Sequence, residues 1–277
     1  MEESELWAAL QERVVFVLVE PQSPGNVGAA ARAMKNMGLS RLVLVNPPSY
    51  DPEQARWMAP GAGDILAAAR IVPTLDEALS GVHTAVATTA RHRSLGHPID
   101  TPAELAKRFF ASDSRPVLAV LFGREDHGLD SAAVGRCERL LRIPTPEHAS
   151  LNLGQAVLLC AHALFNAALD RGMTAEGRTL AGRGEGKTTT AVQTPAARDQ
   201  LADVGLIEPA VEDIVALLER VGYTRGVKPE KVRTTARQSL YASKLTVRAA
   251  AALRGMLRRI GWALDNPDVD WKKTKGS

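Results

Sequence analysis

The sequence predicts an α/β fold: a parallel sheet with helices on both faces, followed by a small helical C-terminal extension. Three observations carry that prediction. Through residues 1–172, short runs that are apolar at nearly every position alternate with helical patterns. Strands of that kind are buried on both faces, the condition of a parallel sheet covered by crossover helices. From 173 to 198 the chain turns rich in Gly, Thr and Ala and loses apolar periodicity, which reads as a linker. Beyond 199 only helical patterns remain. The expected organisation is a domain over 1–172, a linker over 173–198 and a basic helical domain over 199–277.

The elements follow in order. VVFVLV (14–19) is a strand, NVGAAARAMKNMG (26–38) a helix closed by glycine, and RLVLVN (41–46) a second strand. GAGDILAAAR (61–70) reads as a helix and IVP (71–73) as a short strand. TLDEALSG (74–81) is a helix with Thr74 as cap and Glu77 three residues on. HTAVATT (83–89) and PVLAVLFG (116–123) are strands on either side of TPAELAKRFFA (101–111), a helix with proline just inside its start. DSAAVGRC (130–137) is a short helix, RLLRIP (139–144) the last strand, and 151–171 a long apolar helix. In the second unit, 208–223 is an amphipathic helix and 228–266 supplies two more.

Composition bounds the function. The chain has 277 residues with 45% hydrophobic content, enough for one good core and a smaller second unit. A net charge of +3 permits a nucleic-acid partner without demanding one, and 4% aromatics argue against a binder built on stacked rings. Cys137 and Cys160 lack metal or redox spacing and read as reduced, buried hydrophobes of a cytoplasmic protein. The acidic N-terminus has no basic region before an apolar run, so no signal peptide is expected, and no stretch reaches a membrane span of ~18 apolar residues. Between 231 and 259 every charged residue is basic. A solvated helix face and a surface for a phosphate backbone are equally good readings of that run. The apolar residues among them could pack on another subunit.

Ligands of parallel sheets bind beyond the carboxyl ends of the strands. Three segments there combine glycine with polar residues. EPQSPGNVGAAARAM (20–34) holds Asn26, which by itself reads as a helix N-cap, and Arg32, the lone charge between Glu20 and Lys35. FGREDHGLD (122–130) holds Gly123, Glu125 and Gly128. IPTPEHASLNLGQ (143–155) places Ser150 and Asn152 at the mouth of the long helix, where either can cap it. There is no GxGxxG after the first strand, which excludes a nucleotide-binding dehydrogenase, and no P-loop or metal-ligand cluster.

In this order, GNVGAAARAM, LFGREDHGL and IPTPEHASLNLGQAV resemble the three motifs of the SpoU (TrmH-like) branch of the SPOUT RNA methyltransferases. The linker and basic helical tail are similar in layout to the TrmJ subgroup, which methylates tRNA. The resemblance implies a deep trefoil knot in the C-terminal part of the sheet, a homodimer that completes each site, and S-adenosylmethionine as the methyl donor without a metal. It implies a donor pocket of Thr88, Thr89, Ala90, Gly123, Ile143, Ala149, Ser150, Leu151 and Leu153. It also places Asn26, Arg32, Glu125, Ser150 and Asn152 on the family's characteristic polar positions. His148 and Ala149 depart from the family, standing where relatives often have an aromatic and a Ser. The implied reaction is methylation of a ribose 2′-oxygen of tRNA, at position 32 of the anticodon loop by subgroup. Another tRNA position, a ribosomal RNA, or a non-catalytic RNA-binding protein on the same fold are the alternatives. Arg91, His92, Arg93, Lys107 and Arg108 read equally as RNA contacts or as solvated charges.

Overall fold

The run VVFVLV forms β1 (Val14–Val19), with β2 and β6 parallel on its two sides. The computed structural model describes residues 3–48, 50–90, 97–112, 116–146, 150–172, 200–224 and 227–266. Before β1 lies α1 (Glu3–Arg13), which the sequence reading missed although Leu6, Ala9 and Leu10 recur at helical spacing; the apolar run is only five residues long and is bounded by charges. After β1 come α2 (Pro24–Asn36), β2 (Arg41–Val45), α3 (Pro52–Trp57), α4 (Gly63–Ala68), β3 (Arg70–Val72) and α5 (Leu75–Ala78). Then follow β4 (Thr84–Thr88), β5 (Ile99–Asp100), α6 (Pro102–Phe110), β6 (Leu118–Phe122), α7 (Ser131–Gly135), β7 (Arg139–Leu141) and α8 (Leu153–Leu169).

The seven strands lie in the order β3-β2-β1-β6-β4-β7-β5, and every pairing is parallel. From β1 the chain builds outward to β3, then returns to lay its remaining strands on the other side. The direction therefore switches between β1 and β6, the place where such sheets open a crevice. One sheet face carries Phe16, Leu18, Leu44, Val120 and Phe122, which join helices α1, α2, α3, α4, α6 and α8 in one core. The rings of Phe16 and Phe122 meet at 5.3 Å. The opposite parity carries smaller buried residues, among them Val15, Val17, Ala85, Ala87 and Ala119. Successive strand residues point to opposite faces, so both faces read as apolar.

Close approaches fix α2. A Cβ at Gly28 would lie 2.0 Å from the Ala55 carbonyl oxygen, so α3 packs at a distance only glycine permits. The N-cap of α2 is Ser23, with Pro24 in the first turn, and not the expected Asn26, which sits one turn inside the helix. Ser23–Pro24 was the better signal, since proline is suited to the first helical position. The two-residue strand β5 also escaped the sequence reading. It pairs with β7 through Leu140 N–H to the Pro98 carbonyl and Arg142 N–H to that of Asp100. The buried Asp100 carboxylate accepts from Arg139 at 2.5 and 2.7 Å.

The chain divides into two compact units, Met1–Thr194 and Pro195–Ser277, and the expected linker over 173–198 lies outside the described residues. The second unit holds α9 (Val204–Arg220), α10 (Pro229–Ala242) and α11 (Val247–Asp265). Asp203 and Thr246 cap α9 and α11 by accepting from Leu206 N–H and Ala249 N–H. Helix α9 begins four residues before the expected 208, with Pro209 inside its first turns.

Part of the basic run over 231–259 is paired within this unit. Arg237 is 4% exposed and makes a two-pronged ion pair with Glu208 at 2.7 and 2.8 Å, to which the Tyr241 hydroxyl also donates. Arg233 pairs with Glu212 and Glu230, and Arg254 with Asp213. The acids come from α9 and the start of α10, so three basic residues of a run without acids in sequence are paired in space. Lys231, Lys244, Arg248 and Arg258 remain exposed. Of the expected apolar stripe, Met256, Ile260 and Trp262 are exposed. No helix among the described residues is long and apolar enough to cross a membrane.

Candidate functional site

The carboxyl ends of β4, β6 and β7 and the start of α8 enclose a cavity of about 390 Å³. Thr88, Thr89, Ala90, Gly123, Ile143, Ser150, Leu151 and Leu153 all line it. Ala149 and His148 lie outside the described residues, as do Arg91, His92 and Arg93. Strand ends hold the walls in place: the Thr88 hydroxyl donates to the Leu121 carbonyl at 2.8 Å, and Thr89 N–H donates to that of Leu141. At Gly123 an added Cβ would come within 2.1 Å of the Gly128 backbone. The loop 123–128 is therefore folded tightly on itself, closed by the bridge between Arg124 and Gly128.

A hydrogen-bond chain joins the three polar loops at the rim. The Glu125 carboxylate accepts from Gln22 N–H at 2.9 Å, from Ser23 N–H at 3.3 Å and from the Asn26 amide at 2.8 Å. The Asn26 amide oxygen accepts from the Asn152 side chain at 3.0 Å. Asn152 is the N-cap of α8: its oxygen accepts from Gly154 N–H at 2.9 Å, and Gln155 completes a capping box. Capping thus falls to Asn152, and Ser150 stands free to face the cavity. At Gly154, helix α8 approaches Ala29 of α2 so closely that an added Cβ would lie 2.8 Å from the alanine methyl.

Charge at this rim is arranged by Arg124. It binds both oxygens of Asp126 at about 3.0 Å and reaches Glu20 at 3.4 Å. The hydrogen bond from Arg124, aided by His127, holds the Asp126 carboxyl far below its ordinary range. The reading of the sequence missed Gln22, Ser23 and Arg124, whose parts are played largely by backbone or by partners more than a hundred residues away. Arg32 does not line the cavity. Six residues beyond Asn26, it is about 9 Å farther along the axis and turned by about 240°. It is exposed and makes no hydrogen bond or ion pair among the described residues. Lys107 is exposed and Arg108 pairs with Asp100. Cys160 is fully packed inside α8, and burial pushes its thiol up to about 12, so it is inert at neutral pH. No cluster of three metal-ligating side chains occurs among the described residues.

A cavity at the carboxyl edge of a parallel sheet, ringed by three loops that share one hydrogen-bond chain, defines a small-ligand site of the α/β class. Residues 13–162 match the SpoU rRNA Methylase family, and the chain belongs to that family. A tRNA (cytidine/uridine-2′-O-)-methyltransferase, TrmJ, of Photorhabdus laumondii is 33% identical over 91% of this chain and 98% of its own. The tRNA (cytidine/uridine/adenosine-2′-O-)-methyltransferase TrmJ of Pseudomonas aeruginosa is 47% identical over 53% of this chain, and that match spans 58% of the relative. Among solved structures, TrmJ from Z. mobilis superposes with a TM-score of 0.69 at 28% identity, covering 89% of this chain and 98% of that one.

Proposed function

We propose that the protein is an S-adenosylmethionine-dependent tRNA ribose 2′-O-methyltransferase that acts as a homodimer in the cytoplasm on position 32 of the anticodon loop. The observation that carries this reading is the Glu125–Asn26–Asn152 chain at the mouth of the β4–β6–β7 cavity. The names of the relatives support the substrate class: both name cytidine and uridine, and that of the Pseudomonas aeruginosa relative adds adenosine.

The cavity fits the donor. Its volume is in the range of small-molecule sites, roughly 300–1,000 Å³, and its walls are short side chains and strand-end backbone that leave room for close approach. Leu141, Ile143, Leu151 and Leu153 offer apolar faces to an adenine ring, and Thr89 and Ser150 offer hydroxyls. Bound there, S-adenosylmethionine supplies an electrophilic methyl group on its sulfonium. The chain's own work is to align a ribose 2′-hydroxyl with that methyl and to see its proton removed.

Glu125 accepts three donors, which occupies most of the ~4 lone-pair sites of a carboxylate. It acts as the clasp that fixes α2 against the loop after β6, not as the proton acceptor. Asn26 and Asn152 orient one another, and Ser150 lines the donor pocket. Arg32 presents a planar guanidinium fork, so it serves as a clamp for RNA phosphate and hydroxyl oxygens. Because it does not line the cavity of its own chain, we assign it to the site of the second copy. The threaded knot is part of the same proposal, with 1–172 as the catalytic domain, 173–198 as a linker and 199–277 as the tRNA-binding tail.

Titration calorimetry with S-adenosylmethionine should show one site per chain, and NAD should give no heat. Mass spectrometry of tRNA from a strain lacking the gene should show loss of one 2′-O-methyl pyrimidine, restored by the wild-type chain. Unchanged tRNA methylation would refute the assignment. Ribosomal RNA losing the mark instead would move the substrate to the ribosome.

A further inference from the structure

A second crevice, of about 380 Å³, opens at the same sheet edge. It sits at the ends of β1 and β2, under α5 and α7, on the other side of the loop after β6. Arg124 and Gly128 line both cavities, so that loop is a partition between them. The crevice lies at the carboxyl edge on the β2 side of the switch between β1 and β6, an edge where ligands of open parallel sheets bind.

Its lining is built for a particular chemistry. Glu20 and Asn46, the first residues after β1 and β2, have φ of 50° and 43°. Left-handed backbone is uncommon at non-glycine residues, though Asn adopts it more readily than most. Both N–H groups still continue the sheet, Glu20 to the Val45 carbonyl and Asn46 to that of Val72. The turn comes only afterwards and brings the two side chains together, the Asn46 amide donating to Glu20 at 3.3 Å. Across the crevice Asp76 pairs with Arg136. Three carboxylates (Glu20, Asp76, Asp130) face two guanidiniums (Arg124, Arg136), so the lining carries a net negative charge and disfavours a phosphate. Glu20 and Asp76 keep lone pairs free for further donors. The complementary guest is a neutral planar group rich in N–H donors.

We propose that this crevice is a second RNA subsite, which takes an unpaired, amino-bearing base next to the nucleotide whose ribose is methylated. The proposal rests on the methyltransferase reading above. Single-stranded RNA loops are recognised through splayed bases read on their hydrogen-bonding edges, and carboxylates read amino groups. Arg124 then couples the two sites: it is held by Glu20 on one side and belongs to the loop of Glu125 on the other.

The test is steady-state methylation of tRNA stem-loops by the full-length protein, with each nucleotide flanking the target replaced by its amine-free counterpart: inosine for guanosine, purine riboside for adenosine, uridine for cytidine. One flanking position should show a KM rise of about tenfold when its amine is removed. Asn46→Gly suits the left-handed backbone while deleting the amide, and Asp76→Asn removes an acceptor. Both variants should erase that tenfold preference by raising KM for the amino-bearing RNA, with S-adenosylmethionine affinity by calorimetry as in the wild type. A wild type that methylates RNA but ignores every flanking amine overturns the subsite alone, as do variants that keep the preference. Tight binding of free cytidine or guanosine without any such preference also overturns it, since the crevice would then serve a metabolite. A wild type that methylates no RNA overturns the functional reading and the subsite together.

Discussion

At Asn152 one side chain does two jobs, and they can be separated. Its oxygen caps α8 and its amide nitrogen bonds Asn26. Asp is as good a cap as Asn. Asn152→Asp should therefore keep the melting temperature within about 2 °C while placing a carboxylate against the Asn26 oxygen, and methyl transfer should fall by at least tenfold in a single-turnover assay. Equal losses of stability and turnover would show that capping is its whole role. At Gly123, alanine forces Cβ against the Gly128 backbone, which cannot swing away as a flexible side chain would. Overpacking of this kind costs about 1–3 kcal/mol. Gly123→Ala should lower the melting temperature by several degrees and abolish donor binding in calorimetry. The residue types of this site were legible in the sequence, because glycine and uncharged polar side chains directly after apolar strands stand out. Their partners were not, since the bonds that define Glu125 span about a hundred residues and end largely on backbone N–H groups.

Among the elements, the α9–α10 pair depends on a buried ion pair. Removing one member of such a pair leaves a stranded charge and costs about 3–5 kcal/mol. Arg237→Ala should therefore unfold the second unit at a lower temperature, seen as an early separate transition in calorimetry, whereas replacing Arg237 and Glu208 together with Met and Leu should restore most of it. The edge of β7 answers to pH. Burial pushes the Glu138 carboxyl up to about 7 from 4.5, against the pull of the Thr84 hydrogen bond. A raised carboxyl contributes stability that is full below the unfolded value of 4.5 and is lost as pH rises through about 7. Glu138→Gln should thus melt a few degrees above the wild type at pH 8, with the gap closing by pH 4.5. Asp100 works in the opposite sense. Burial raises its carboxyl, but the hydrogen bonds from Arg139 and Arg108 outweigh that and hold it low, so its contribution is present above 3.8 and fades in stronger acid. Strands with long apolar runs were readable from sequence, whereas β5, with two residues, has no periodicity to read.

For the molecule as a whole, the alternation of strands and helices announced a parallel sheet, but not which strand lies beside which. β6 is inserted between β1 and β4, where Phe122 meets Phe16, a pairing of distant residues that no local pattern encodes. If Arg32 serves the second copy, activity should depend on protein concentration, and sedimentation should give twice the chain mass of 29.7 kDa. Arg32→Lys should lose the planar fork and most of its turnover while still sedimenting as the wild type does. The Glu125–Asn26–Asn152 chain has a consequence in time as well as in space. Its bonds join positions 99 and 126 residues apart, so they close only after long loops have been ordered. On the ribosome, the cavity at the ends of β4, β6 and β7 cannot be completed until the start of α8 has been made and released. A growing chain therefore carries no methylating activity until its first unit is whole, and synthesis that stops short of Asn152 yields only inert fragments.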